Sequence, residues 1–275
     1  MIHSGSGYMI SNWLIRLAHI IYACLMLFPI SSIASTDVNN SSINHITAAI
    51  YNSPPWGWKE SNGQIKGIAP ELIRVLVDEV DPSIDIKYIL GSTERNIQLV
   101  LSNQADIVIT FYDERLAEQT VNLGNTISVD YQAWSLAETP IKALKDLESM
   151  RLATSQYYKG LFEHNVKSVN YVSSIKNLIP VLVSGNVDVV AALEPGLEFN
   201  ARKHGFSKER FSILSIRSFK AYIWISKSSK INAELQRWKD ASTTIIAQDS
   251  DQQLLQRFLT QDASPSKSAI HGGSP

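Results

Sequence analysis

Cysteine is nearly absent from this chain of 275 residues, which has one, Cys24. A single cysteine cannot form a disulfide within the chain, so the fold must be held together by its hydrophobic core. Histidines are equally uninformative, since His45, His164, His204 and His271 are scattered without the spacing of metal ligands. We therefore expect neither a metal site nor any other cofactor.

An excess of one charge is also lacking. The 25 Lys and Arg residues nearly balance 26 Asp and Glu residues, for a formal net charge of −1. This balance offers no basic surplus for nucleic acid, and no nucleic-acid partner is expected. The chain contains no G-x-S-x-G, no P-loop and no glycine-rich dinucleotide turn. A composition of 44% hydrophobic and 19% charged residues is that of a globular protein with one large or two modest domains.

The first 34 residues are typical of an export signal. Arg16 precedes an apolar run at 17–30, and Ser32 and Ala34 then form a small-x-small cleavage pattern. The run is shorter than the ~20 residues that a membrane-spanning helix needs. We therefore expect residues 1–34 to be a cleaved signal peptide and the mature protein to be periplasmic.

Other interpretations of the two ends remain open. The apolar run could stay as an uncleaved anchor, or Cys24 could be lipidated, although bulky Tyr22 fits a lipoprotein signal poorly. Met9 is an alternative start. At the other end, 263–275 is polar, with glycine and proline and no periodicity, and is predicted to be a disordered tail.

The first part of the mature chain alternates between strand and helix patterns. Pro70 and Glu71 suit the start of a helix, and Thr93 can cap a second helix. The stretch "ADIVITFYDER" at 105–115 is a buried strand that ends on charges, a place where functional sites are common. The β-α-β-α-β order favours a sheet with helices on its faces. The predicted elements are strand 45–50, helix 70–80, strand 84–90, helix 93–102 and strand 106–110.

The second part contains an echo of the first. "LVLSNQADIVIT" at 99–110 resembles "VLVSGNVDVVAA" at 181–192, with Asn103 and Gly185 at the same place in the turn. Both residue types tolerate the left-handed conformation that ends a helix. Two lobes built alike would explain the echo, as would coincidence. The further predicted elements are strand 151–155, helix 174–184 with a kink at Pro180, strands 187–193 and 221–226, and helices 231–247 and 251–259.

Five segments in this order resemble the periplasmic solute-binding proteins of family 3, the polar-amino-acid type. They are 54–72, 103–115, 146–158, 182–193 and 236–259. The resemblance implies an α/β fold of the type II periplasmic-binding-protein kind. Such a fold is a two-lobed clamp, in which each lobe is a mostly parallel sheet flanked by helices and two crossing strands join the lobes.

The resemblance also implies boundaries and partners. Lobe 1 would comprise 43–135 and 222–260, and lobe 2 would comprise 136–221, with crossing strands near 131–139 and 219–226. A small polar or carboxylate-bearing solute, amino-acid-like, would bind between the lobes of a monomer and pass to an inner-membrane ABC permease. A membrane sensor is the alternative partner.

In the family, an arginine shortly after the third strand clamps the carboxylate of the ligand, and Arg115 occupies that place. A guanidinium can donate two parallel hydrogen bonds to a carboxylate. The alternative is a surface salt bridge to Asp113, Glu114 or Glu118. The stretch before Arg115 is shorter than in the family, and its polar loop is reduced to Thr110, Phe111 and Tyr112.

The family places an aromatic wall after the first strand, and Trp56 and Trp58 lie there. An aromatic face can stack on a planar ligand or attract a cation. We expect one of the two, preferably Trp56, to line the cleft, and the other to pack into the core. Tyr51 is a further candidate.

In the second lobe, Thr154, Ser155, Gln156 and Tyr157 match the loop by which the family reaches the ligand. Hydroxyl groups, an amide and a helix N-terminus suit an anionic or polar group. Simple helix capping is the alternative role of these residues.

Glu194 marks a departure from the family. Members that bind α-amino acids have an aspartate at the end of this strand, which holds the ammonium group, whereas Leu193 stands at that position here. Either Glu194 replaces the aspartate or the ligand is not a standard α-amino acid. Glu194 could also serve as the general acid of a dehydratase on the same fold, but no second catalytic group is evident, so we expect a protein that is not an enzyme.

Overall fold

The computed structural model describes residues 43–158, 162, 166–247 and 250–259. The predicted signal peptide at 1–34, Cys24 and the predicted tail at 263–275 lie outside the described residues. Within the described ranges, no helix is long and apolar enough to cross a membrane.

The described strands alternate with helices for most of the chain. The strands are β1 (His45–Tyr51), β2 (Trp58–Lys59), β3 (Ile65–Lys66), β4 (Asp85–Gly91), β5 (Ile107–Phe111), β6 (Thr120–Leu136), β7 (Arg151–Ser155), β8 (Ser168–Val172), β9 (Val189–Leu193) and β10 (Phe211–Ser226). The α-helices are α1 (Ile68–Val80), α2 (Thr93–Leu101), α3 (Glu114–Gln119), α4 (Leu178–Val183), α5 (Glu194–Lys203), α6 (Leu235–Ala247) and α7 (Ser250–Arg257). Short 3-10 turns cover Leu144–Ser149, Gln156–Tyr158, Ile175–Asn177, Lys208–Arg210 and Lys230–Glu234.

Eight of these strands form one sheet in the order β4-β1-β5-β10-β6-β9-β7-β8. The three strands at each end are parallel to one another, β4-β1-β5 on one side and β9-β7-β8 on the other. Strands β10 and β6 are antiparallel and lie between these groups. We call the part built on β4-β1-β5 the first lobe and the part built on β9-β7-β8 the second lobe. The fold is therefore the expected two-lobed α/β arrangement, with a group of parallel strands in each lobe and the crossing strands joining the two groups into one sheet.

Two long strands join the lobes. Strands β6 and β10 pair from Leu136 with Phe211 at one end to Thr120 with Ser226 at the other. The sequence predicted crossing strands only near 131–139 and 219–226, and both strands begin earlier than expected. Their middle parts carry polar side chains and register shifts, so the alternation of apolar residues that reveals a strand is weak there.

Helix α1 shows how local sequence sets an element of the first lobe. Its buried face includes Leu72, Ile73, Leu76 and Val77, at the helical spacing that the sequence predicted. The helix begins at Ile68, two residues before the predicted start, and ends before Asp81, whose backbone N–H donates to the carbonyl of Val77.

The sequence echo corresponds to two equivalent turns. Asn103 has φ 60° and Gly185 has φ 72°, so each adopts the left-handed conformation that ends the preceding helix. In each turn the following backbone N–H reaches back to the helix, from Gln104 to the carbonyl of Leu99 at 2.8 Å and from Asn186 to that of Val181 at 3.1 Å.

An aspartate follows each turn and fastens it to the first strand of its lobe. The backbone N–H of Thr47 donates to Asp106 at 2.8 Å, and that of Arg151 donates to Asp188 at 2.8 Å. The two lobes thus repeat one helix–turn–strand design, as the echo predicted.

Two local expectations were wrong. Pro180 does not kink a long helix, because α4 begins at Leu178 and proline is tolerated in a first turn, where its missing N–H is not needed. The cap of α2 is Ser92, whose hydroxyl accepts from the N–H of Arg95, and Thr93 is the first helical residue.

Candidate functional site

A cavity of about 40 Å³ lies where the carboxyl ends of strands from both lobes meet. Ligands of open α/β sheets bind at such strand ends. The first lobe contributes the ends of β1 and β5, the start of α2 and Trp56. The second lobe contributes residues that follow β7 and the last residue of β9. The lining residues are Tyr51, Trp56, Ala69, Thr93, Asn96, Val108, Ile109, Thr110, Phe111, Tyr157, Tyr158, Leu193 and Ala221.

A smaller cavity of about 20 Å³ continues into the second lobe. It shares Tyr51, Trp56, Tyr158 and Leu193 with the first cavity. Its other lining residues are Ser155, Ile175, Ala192 and Gly196. The two cavities together form one cleft between the lobes, and we refer to them as the cleft.

The backbone holds Trp56 in place through several short contacts. Its N–H donates to the carbonyl of Ser53 at 2.8 Å, and its carbonyl accepts from the N–H of Ala69 at 3.0 Å, at the start of α1. The indole ring meets Phe111 edge-on, with 6.5 Å between ring centroids. Trp56 is therefore a rigid, buried wall of the cleft.

Five of the eleven residues that the sequence singled out line the cleft. Tyr51, Trp56 and Thr110 come from the first lobe, and Ser155 and Tyr157 from the second. Thr154 is buried beside Tyr131 and lines neither cavity. Tyr157 remains 56% exposed, so its ring forms part of the wall and of the surface. Their role in binding a ligand stays a prediction.

Trp58, Tyr112 and Gln156 line neither cavity. Trp58 packs against Phe199 and Phe258, with ring centroids 5.7 and 5.9 Å away. Tyr112 is 65% exposed. Gln156 is exposed in the 3-10 turn after β7.

Tyr112 follows the last residue of β5 and packs against β10. Its ring contacts Tyr222 and Trp224, at centroid distances of 6.4 and 6.3 Å. Tyr112 therefore lies over these two rings, whereas Phe111, one residue earlier, lines the cleft.

Arg115 also lies outside the lining of both cavities. Its Nε and Nη2 donate to Asp113 at 3.0 and 2.9 Å, and its Nη1 and Nη2 donate to Glu94 at 2.8 and 3.0 Å. The side chain of Arg115 is 42% exposed. These bonds lower the pKa of both carboxyl groups and raise that of Arg115. We call Glu94, Arg115 and Asp113 the charged triad.

The charged triad is close enough to the cleft to act on Tyr157. Burial raises the pKa of that phenol, and the negative charge of Asp113 raises it further. Arg115 thus has the salt-bridge arrangement that was the alternative to a clamp, although with Asp113 and Glu94 as partners. A carboxylate clamp would require it to exchange these partners for a ligand, and this role stays a prediction.

Glu194 is engaged away from the cleft. It is the first residue of α5, and Lys208 donates to it at 2.8 Å and to Glu198 at 3.1 Å. Arg202 donates to Glu198 at 2.8 Å. Leu193, one residue earlier, lines both cavities instead. The end of β9 thus presents an apolar side chain to the cleft.

The sequence did not single out three important lining residues, Phe111, Tyr158 and Asn96. The sequence pattern around Phe111 and Tyr158 indicates ordinary strand and turn residues. In the structure, burial raises the pKa of Tyr158 well above its usual value. Asn96 lies on α2, is only 2% exposed, and its Oδ1 has no hydrogen-bond partner in the part of the chain that the structure describes. A polar residue in a helix is usually predicted to face solvent, so the sequence gives no sign that the side-chain amide of Asn96 is buried.

No family model matches the sequence, and no curated protein matches it. Solved structures do resemble it in fold. The amino acid ABC transporter substrate-binding protein AbpA of Streptococcus pneumoniae, bound to L-arginine, has a TM-score of 0.64 at 16% identity, over 82% of this chain and 98% of that one.

The ancestral cationic amino acid solute-binding protein AncCDT-1 has a TM-score of 0.66 at 13% identity, over 79% of this chain and 96% of that one. A histidine kinase sensor domain similar to periplasmic binding proteins has a TM-score of 0.62 at 13% identity, with the same coverage of 79% and 96%. Together with the two groups of parallel strands and the crossing strands, these likenesses show that the chain shares the two-lobed α/β fold of these proteins.

Proposed function

We propose that this protein is a receptor that captures a small solute between its lobes and delivers it to an inner-membrane ABC importer from the periplasm. The observation that supports the proposal is the cleft, to which both lobes contribute side chains at the ends of their strands. Closure of two lobes on a ligand is the usual mechanism of such clamps. The similar structures include transporter substrate-binding proteins.

A thermal-shift screen of the mature protein tests this proposal. Amino acids, organic acids, polyamines and sugars would be added in turn, and a ligand of the folded protein raises the melting temperature by mass action. The proposal fails if no solute raises the melting temperature.

Two exposed tyrosines provide a matched pair for locating the site. Tyr157 lines the cleft, whereas Tyr112 packs on Tyr222 and Trp224 on another face. We expect Tyr157→Ala to weaken binding of the best solute from the screen and Tyr112→Ala to leave it unchanged. The opposite result would place the ligand outside the cleft.

A sensory role is the second candidate, because one of the similar structures is a histidine kinase sensor domain. In that case ligand occupancy would pass to a membrane partner without transport. Uptake of the labelled solute by cells with and without this protein separates the two roles, since only an importer component changes uptake.

An enzymatic role has less support. AncCDT-1 is described as a precursor of cyclohexadienyl dehydratase. In this chain, however, Glu194 is bonded to Lys208 and lines neither cavity, so it is not placed as a general acid. We propose a binding protein without catalytic activity, and turnover of a cyclic acid by the purified protein would contradict this.

A further inference from the structure

We infer that the cleft selects an uncharged, ring-bearing solute, and that a carboxylate is not part of its recognition. This inference rests on the proposed receptor function and concerns the ligand class of the same cleft. It departs from the amino-acid-like ligand that the sequence resemblance implies.

The walls of the cleft favour a flat apolar body. Tyr51, Trp56, Phe111, Tyr157 and Tyr158 contribute aromatic rings from both lobes. Aromatic faces and edges bind planar rings by stacking and edge-on contacts. Burial raises the pKa of Tyr51 and of Tyr158, so these phenols stay uncharged at neutral pH.

Charge in and around the cleft disfavours a carboxylate. Among the described residues, no lining side chain of either cavity is charged. The charged triad near Tyr157 has two carboxylates for one guanidinium, and every guanidinium nitrogen of Arg115 already donates to one of them. An incoming carboxylate would have to displace Asp113 or Glu94 and then lie beside the displaced charge.

An ammonium group also lacks a partner. Leu193 stands where a carboxylate would hold it, and Glu194 is already bonded to Lys208. Enclosing an unpaired charge in an apolar cleft is costly, so a zwitterionic amino acid meets no complementary group at either end.

Three matched probes test the inference by thermal shift and by quenching of tryptophan fluorescence. Benzamide, benzylamine and benzoate carry an uncharged, a cationic and an anionic group on one ring at pH 7. The same three groups on pyridine and indole rings extend the series. We expect the amides to give the largest upward shift of the melting temperature. The inference is overturned if carboxylates or amines shift it as much, or if no amide shifts it.

A substitution of Leu193 makes the test specific. We expect Leu193→Asp to move the preference of the cleft from amide to amine, because Leu193 lines both cavities and the aspartate supplies the missing counter-charge.

An unchanged preference for the amide in Leu193→Asp would also overturn the inference. The two levels of the proposal can fail separately. If amino acids or organic acids bind in the cleft and amides do not, the receptor function stands and the ligand class is wrong. If no solute and no probe binds, the receptor function is wrong as well.

Discussion

The indole ring of Trp58 packs against the ring of Phe199, with 5.7 Å between their centroids. Trp58 belongs to β2, before α1 of the first lobe, and Phe199 belongs to α5 of the second lobe. Phe258, after α7, meets the other side of Trp58 edge-on at 5.9 Å. These three rings connect the lobes outside the cleft, and Trp58 therefore serves packing between the lobes.

The Trp58–Phe199 contact should stabilise the folded protein measurably. We expect Phe199→Ala to lower the free energy of unfolding by about 3–5 kcal/mol, since a buried aromatic ring is lost. A double-mutant cycle with Trp58→Ala should show a coupling of about 0.5–1.5 kcal/mol, measured by urea unfolding. Trp58→Phe is the control that keeps a ring. Additive effects of the two alanine substitutions would mean that the rings do not interact.

The charged triad predicts a pH dependence of stability. Hydrogen bonds from Arg115 depress the pKa of Glu94 and of Asp113 in the folded protein. A carboxyl group whose pKa is lower in the folded protein stabilises it at pH values above its unfolded pKa, near 4. This contribution is lost as the pH falls through the pKa of the folded protein. Arg115→Ala should therefore cost about 0–1 kcal/mol at pH 7, because the pairs are exposed, and less at about pH 3.

Urea unfolding of both proteins at the two pH values measures this difference. NMR titration of the carboxyl groups provides an independent reading, in which the pKa of Glu94 and of Asp113 should rise in Arg115→Ala. An equal cost of the substitution at both pH values would show that the pairs do not contribute.

A buried hydrogen bond supports the second lobe beside the cleft. The hydroxyl groups of Tyr131 and Thr154 are 2.5 Å apart, and the tyrosine also donates to the carbonyl of Ala191 at 3.1 Å. Burial raises the pKa of Tyr131, so the phenol stays protonated at neutral pH. We expect Tyr131→Phe to lower the free energy of unfolding by about 1–3 kcal/mol, because Thr154 loses its partner in the interior.

Chemical denaturation of Tyr131→Phe measures that cost. The double variant with Thr154→Val removes both hydroxyl groups and should recover part of it, since no polar atom is then left unpaired. A double variant that is less stable by the full sum of the single effects would argue against the bond.

Gly67 should link the stability of α1 to the position of Trp56. It has φ 137°, and a Cβ on it would lie 2.5 Å from the carbonyl oxygen of Trp56. Gly67→Ala must displace that backbone, so we expect lower stability and weaker binding of any cleft ligand. Gly205→Ala is the matched control, because Gly205 has φ 77° but no atom within 4 Å of the added Cβ.

The melting temperature and the ligand-induced shift are compared for the two glycine variants. Gly205→Ala should lose about 1–2 kcal/mol to its left-handed backbone, and Gly67→Ala should lose more because its added Cβ also clashes with Trp56; only Gly67→Ala should lose ligand binding. Equal binding by both variants would mean that Trp56 does not need its present position.

Departures from the predicted elements occur where local signals compete. The long crossing strands were only partly visible, because polar residues and register shifts interrupt the alternation in their middle. Pro180 was expected to kink a long helix, whereas α4 is shorter and has Pro180 in its first turn. These differences concern where helices and strands begin and end. Those ends depend on contacts with residues that are distant in sequence.

The candidate site was harder to foresee than the fold. Trp56 and Tyr157 were anticipated from the resemblance of their segments to the family 3 binding proteins, and both line the cleft. Asn96 was not, since a polar residue on a helix usually faces solvent. Arg115 was expected either to grip a ligand or to form a surface pair, and its partner Glu94 lies 21 residues earlier, on another helix.

The sequence by itself determined the α/β order of elements, the buried face of α1 and the paired turns at Asn103 and Gly185, because these follow from periodicity and from the conformational freedom of single residues. Only the tertiary structure decided that aromatic rings from both lobes would enclose the cleft with the amide of Asn96 among them, and that Arg115 would be bound by two carboxylates. Local patterns specify which face of an element is buried, whereas the partner of a side chain depends on which strand ends the fold brings together.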